Sequence, residues 1–264
     1  MQESYETLRV EQPQEHVLQV TLDRPDARNA MNTQMGHDLL DVFMALMLDP
    51  GDTRVVLLTG AGDKAFCAGG DLKERRGMTD ETWRLQHAVF EQGIYRLMEC
   101  PIPVIAAVNG AAYGGGCEIA LACDFIYAST NARFALTEIT LGIIPGCGGT
   151  QNLPRAAGVR RAKEVLYTGT PFDAEEGFAW GVVNQVCAPD ALLPAALATA
   201  QRIADNAPLA VRQAKRAVDL GVGVDRTTGL GIEIEAYNRL VPTEDRHEGV
   251  LAFNEKRKPR YKGR

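Results

Sequence analysis

Short runs of consecutive apolar residues, set between segments of helical period, constrain this chain more than any other feature. Arg54 to Leu58 leads into Gly60, Val104 to Val108 follows Pro101 and Pro103, and Phe125 to Ala128 follows an apolar helix. A run that is apolar at successive positions suits a strand covered on both faces. Between them the period lengthens. Asn32 is placed to cap a helix with Met35, Leu39, Leu40, Phe43 and Leu46 on one face, and a second helix is expected from Thr79 to Glu99. Two alternating stretches, Tyr5 to Glu11 and Val17 to Leu22, read as a strand pair. Strand and helix in alternation predict an α/β fold with right-handed βαβ connections. After Leu192 helices take over, at 192–204, 209–220, 226–240 and 243–253. Pro208 and Pro242 fall at first-turn positions, and Gly221 and Gly223 close a helix. The expected division is a core over 1–190 and a helical region over 191–264.

The 264 residues suffice for a sizeable core. With 45% hydrophobic and 23% charged residues, composition excludes a disordered or fibrous chain. No apolar run approaches the roughly 18 residues of a membrane span, and MQESYETLRVEQ lacks the basic and apolar regions of a secretory signal. The expectation is a protein without a membrane partner. Net charge is −6, but Lys256 to Arg264 carries six basic residues, which leaves −12 for the rest. Such a tail reads as a solvated end or as a contact for phosphate. None of the six cysteines forms CxxC, and the four histidines do not stand beside them at zinc-like spacing. No metal site is expected. The cysteines read as small buried hydrophobes in a reducing cytoplasm.

Three glycine-rich segments carry the chemistry. Gly60, Gly62 and Ala65 match a dinucleotide-binding start, but the chain turns again at Ala68-Gly69-Gly70-Asp71 where a helix is required, so that reading is rejected. Gly114 to Gly116 opens an apolar helix, where backbone N–H groups are left free. LGIIPGCGGT, from Leu141 to Thr150, is the third segment. Two loops that each offer one N–H to a single oxygen make an oxyanion hole. Glu118 follows the second segment, and Glu138 lies in apolar surroundings just before the third. Buried carboxyls there would have raised pKa values and suit acid–base work on a carbonyl compound. Spacing alone leaves open that both are surface residues or helix-end caps.

Taken together, these segments resemble the crotonase (enoyl-CoA hydratase/isomerase) family. The resemblance covers LDRPDARNAMN at 22–32, AFCAGGDLKE at 65–74, PVIAAVNGAAYGGGCEIALACDF at 103–125, FALTEITLGIIPGCGGTQNLPR at 134–155 and the C-terminal PTEDRHEGVLAFNEKRKPRYKG. It implies a crotonase-type ββα spiral core with a C-terminal helical trimerisation region, assembled as a homotrimer or homohexamer. It implies a cytoplasmic enoyl-CoA hydratase of fatty-acid β-oxidation acting on an acyl-CoA thioester. By motif, the oxyanion donors are the N–H groups of Ala68 and Gly115. Glu118 is the base that polarises water, and Glu138 is the acid. The same resemblance places CoA contacts at Arg28, Ala30, Ala68, Gly70, Asp71 and Leu72. Gly146 stands near the catalytic end, and Phe253 and Lys256 reach a neighbouring subunit's CoA. No separate cofactor is implied, because CoA is carried by the substrate.

Two departures stand out: Gly70 occupies a position often held by alanine, and Thr137 one often held by proline. DLKER also resembles the methylglutaconyl-CoA hydratase branch. That activity, an isomerase, or a non-catalytic acyl-CoA- or RNA-binding relative are the alternatives. The helix after Thr79 is not lysine-rich, so no nucleic-acid partner is expected.

Overall fold

The computed structural model describes residues 1–2 and 4–264. The chain opens with β1 (Leu8–Gln14) antiparallel to β2 (Val17–Leu22), followed by α1 (Thr33–Leu48). The first strand starts later than the alternating pattern suggests. Tyr5 and Thr7 are committed to α1, their hydroxyls donating to Asp41 (2.6 Å) and Asp38 (2.7 Å). Asn32 caps α1 as expected, accepting from the Met35 N–H.

A unit of two strands and a helical segment then repeats. The first unit is β3 (Val55–Gly60), β4 (Ala65–Cys67), α2 (Leu72–Arg75) and α3 (Asp80–Met98). The second is β5 (Val104–Val108), β6 (Ala111–Tyr113) and α4 (Gly115–Ala122). The third is β7 (Phe125–Ser129), β8 (Arg133–Ala135) and a 3₁₀ turn at Glu138–Leu141, then α5 (Gly149–Ala157) and α6 (Val159–Thr168). In each unit the first strand joins one sheet and the second strand joins another. The sheets run β1-β2-β3-β5-β7-β10 and β4-β6-β8-β9, completed by β9 (Phe172–Asp173) and β10 (Gln185–Cys187) around α7 (Ala174–Ala179). From β2 to β10 the larger sheet is parallel. This is the ββα spiral. Because β4, β6 and β8 are neighbours, the segments that follow them meet at one end of the smaller sheet.

One face of the larger sheet packs against α1 and α3 through Leu39, Phe43, Phe90 and Ile94, all buried. The other face is closed by α8 (Leu192–Ala204), whose Ala196, Ala200 and Ala204 repeat every four residues and bury against Val55, Leu57 and Ile105. Small side chains at that spacing let the helix lie close to the strands. Beyond it come α9 (Pro208–Gly221), α10 (Arg226–Leu240) and α11 (Glu244–Asn254). Pro208 takes the first position of α9, but Pro242 precedes the Thr243 cap of α11 and lies outside the helix. Gly221 is itself helical, and Val222 caps α9.

The basic tail is not a free end. Buried Asp245 accepts from the N–H groups of Lys262 (2.7 Å) and Gly263 (2.8 Å), Arg54 donates to the Tyr261 carbonyl (3.0 Å), and Arg257 forks onto Glu248. These contacts hold the tail against α11 and against Arg54, just before β3. All six cysteines are buried free thiols. Among the described residues no helix is long and apolar enough to cross a membrane.

Candidate active site

The segments after β4, β6 and β8 enclose a cleft of about 640 Å³, walled on one side by α3. The turn after β4 is shaped by Gly69. Its φ of 94° is a left-handed value, and a Cβ there would stand 2.8 Å from the Tyr113 carbonyl. Gly114 plays the same part after β6, with φ 52° and ψ −124°. These glycines bring the two turns edge to edge.

Ala68 and Gly115, the two expected N–H donors, differ in outcome. Gly115 is the first residue of α4, so its N–H lies ahead of the helix's own ladder, and it lines the cleft. Ala68 also lines the cleft, but its N–H is spent on the Arg28 carbonyl at 3.1 Å. The donor assignment at Ala68 is therefore corrected. Met31 bridges the turn in parallel fashion, its N–H bonding the Gly69 carbonyl and its carbonyl accepting from Asp71. That pattern turns the N–H of Gly70 away from Met31, and it has no acceptor among the described residues. Gly70 and Gly115 lie side by side, the Gly70 nitrogen 3.9 Å from where a Gly115 Cβ would stand.

Glu118 and Glu138 both line this cleft and both are buried. They are neither surface residues nor simple caps. Glu118 Oε1 accepts from the N–H groups of Cys147 (2.7 Å) and Gly149 (2.8 Å), which fixes the side chain and leaves Oε2 uncommitted. Burial raises its pKa, and the Gly149 and Cys147 N–H groups pull it back. Glu138 sits at the start of the 3₁₀ turn with Oε2 buried and without a partner. Burial raises its pKa to about 7, its own backbone N–H opposes the shift, and the nearby Glu118 charge adds to it.

Of the remaining expected residues, Gly70, Leu72 and Gly146 line the cleft; Gly146 packs against His87 of α3, and its N–H also lowers the Glu118 pKa. Arg28 and Ala30 lie outside the cleft, Arg28 exposed and Ala30 bound through its carbonyl to Arg24. Asp71 has another task. It caps α2, accepting from the Lys73 and Glu74 N–H groups, and pairs with Arg24 at 3.0 Å. Phe253 and Lys256 are exposed and away from the cleft of their own chain. Sequence reading missed the α3 wall, Trp83, His87 and Glu91, together with Arg75 of α2. The fourfold spacing of Trp83, His87 and Glu91 is the signal that marks one helix face.

A family model described as enoyl-CoA hydratase/isomerase matches residues 12–264. The crystal structure of an enoyl-CoA hydratase from Bacillus anthracis superposes with a TM-score of 0.96 at 45% identity, covering 98% of this chain and all of the other. A crotonyl-CoA hydratase of Syntrophomonas wolfei is 40% identical over 98% of both chains. An (E)-benzylidenesuccinyl-CoA hydratase of Thauera aromatica is 42% identical over 94% of this chain and 96% of its own.

Proposed function

This chain belongs to the enoyl-CoA hydratase/isomerase family, and on that footing we propose that it adds water across the C2–C3 double bond of a 2-enoyl-CoA thioester. The observation that carries the reading is convergence: two backbone N–H groups and two buried carboxyls face one cleft. The thioester carbonyl is held between the N–H groups of Gly70 and Gly115. They stabilise the enolate-like charge that grows as the water oxygen bonds to C3. Glu118, steadied through Oε1, takes a proton from that water. Glu138, protonated below its pKa of about 7, delivers a proton to C2. The reaction is redox-neutral, so it needs no redox cofactor, and the reading assigns no metal. CoA arrives with the substrate.

The acyl group is not fixed by the relatives, whose names range from crotonyl to benzylidenesuccinyl thioesters. We place the enzyme in β-oxidation-type metabolism in a reducing cytoplasm, a reading supported by its six free buried thiols. We assign residues 191–264 to assembly as a homotrimer or homohexamer. Exposed Val218, Val222, Ile234 and Tyr237 on and beside α9 and α10 support this, as do the buried, unpartnered Arg212 Nε and Arg216 Nη1. In such an assembly Phe253 and Lys256 reach a neighbour's CoA. The test is a panel of enoyl-CoA thioesters followed by loss of the conjugated enone absorbance. Hydration of at least one is expected; a folded protein that hydrates none contradicts the reading.

A further inference from the structure

The addition of water leaves a proton imbalance behind. Each turnover ends with Glu118 protonated and Glu138 ionised, and both must be reset before the next. Glu118 is buried, its Oε1 is spent on the Cys147 and Gly149 N–H groups, and no side chain of the described residues bonds to either carboxyl. On the α3 wall, His87 comes up against the loop that braces Glu118. A Cβ on Gly146 would stand 2.5 Å from its Cε1 and would collide with its Nε2, so only glycine admits the ring there. The N–H of that same glycine acts on the Glu118 carboxyl. A single residue therefore separates the imidazole from the carboxyl that collects the proton.

His87 is half-buried and lines the cleft, yet neither ring nitrogen has a hydrogen-bond partner among the described residues. Neither nitrogen is sealed in the interior, so the ring opens on the cleft. A histidine that served packing alone would have its buried polar atoms bonded. Charged groups of both signs face it: Arg84 and Glu91 from α3 itself, Arg75 from α2, Glu118 from α4 and Glu138 from the 3₁₀ turn. Cys147, from the loop, adds no charge, because burial pushes its thiol up. Burial pushes the Glu118 pKa up as well, and a charge on His87 pulls it down, so the two groups sense each other's protonation. An imidazole with both nitrogens free takes a proton on one and gives a proton from the other near neutral pH.

We propose that His87 is the proton carrier that resets the two glutamates between turnovers. This rests on the hydratase reading above. The Glu118 carboxyl gives its proton, through a water in the cleft, to one ring nitrogen. The imidazolium then gives a proton from the other nitrogen to the Glu138 carboxylate, or to solvent, which returns one to Glu138. One proton leaves Glu118 and one joins Glu138, so none is gained or lost over the cycle. His87→Gln keeps bulk beside Gly146 and cannot carry a proton. It should complete its first turnover at the wild-type rate and then fall to a steady-state kcat lowered by about 10²-fold, the lower end of what a positioned proton transfer is worth. Stopped-flow loss of the enone absorbance would show this as a burst of one hydration per site. KM should fall with kcat and leave kcat/KM in place, because the reset follows the addition. Added imidazole should speed the slow phase.

A first turnover as slow as the later ones, or a loss that imidazole does not relieve, would mean that His87 shapes the Glu118 brace instead, and would overturn the proposal. An unchanged kcat would overturn it as well. Should His87→Gln not fold, the wild type decides. With an internal carrier its kcat is independent of buffer concentration at fixed pH and ionic strength, and a kcat that climbs with imidazole concentration contradicts the assignment. A folded wild type that hydrates no enoyl-CoA thioester sinks the hydratase reading and the carrier role with it. A wild type that hydrates, beside a His87→Gln variant that cycles normally, sinks the carrier role alone.

Discussion

Glu118 and Glu138 are the same residue type, twenty positions apart in sequence, facing one cleft from differently built walls. The Glu118 wall is a helix start braced by the loop at Cys147–Gly149, and two N–H groups converge on its carboxylate. The Glu138 wall is a 3₁₀ turn whose buried Oε2 meets no donor. Donors favour the charged form; burial without donors favours the neutral one. On the proposed reading, the two surroundings prepare a base and an acid from identical side chains.

The largest expected effect breaks one side of that comparison at a time. Glu138→Gln and Glu118→Gln should each keep the fold and acyl-CoA binding and lower kcat by about 10²–10⁴-fold. Steady-state kinetics check this, and near-wild-type turnover in either variant removes that residue from the chemistry. The double variant should lose less than the product of the single losses if the pair acts as a unit in one addition.

Next in size is the carbonyl site that both glutamates serve. Gly115→Pro deletes one free N–H and should cost about 10²–10³-fold in kcat. Circular dichroism and gel filtration must first show a folded assembly; undiminished activity in a folded variant would place the hole elsewhere.

How much of this was legible in sequence depended on length and on partners. The strand Val104–Val108 and the helices at 192–204 and 226–240 emerge at the expected bounds, because they are long enough to express a period. The three-residue strands β4, β6 and β8 express none, and they are hidden among glycines, so the smaller sheet was not visible. The helices between Gly149 and Ala179 escaped because they are short, and Pro154 lies inside the first. Both glutamates and Gly115 were placed by the family resemblance, and the structure sets all three along one cleft. The engagement of the Ala68 N–H was not legible, since the Arg28 carbonyl that occupies it lies forty positions away in sequence. Arg75 closes the DLKER segment, but nothing in that segment marked it as lining the cleft.

A smaller effect sharpens the asymmetry through pH. Activity that needs protonated Glu138 should fall as pH rises through about 7, and activity that needs ionised Glu118 should fall in acid. Stability follows the same sign. The folded Glu138 pKa exceeds the usual carboxylate value of about 4.3, so the folded state binds more protons between those values and loses stability as pH rises across them. Glu138→Gln should therefore raise Tm more at pH 8 than at pH 4. Melting curves at the two pH values check this, and an equal shift at both would contradict it.

The smallest expected effect comes from outside the pair. Lys256→Ala should raise KM for CoA thioesters severalfold at low salt, leave the pH profile in place, and do less to a pantetheine thioester that lacks the nucleotide. Equal impairment on both thioesters would mean that Lys256 holds an interface instead.

The division of labour is tested most directly by reading the two carboxyls themselves. Carbon-13 NMR of protein labelled at the glutamate side-chain carboxyl, titrated in wild type and in Glu138→Gln, assigns the signal that belongs to Glu138. The account predicts a carboxyl that titrates near 7 in the wild type and is missing in the variant. A Glu138 signal titrating in the ordinary carboxylate range, near about 4.3, would contradict it.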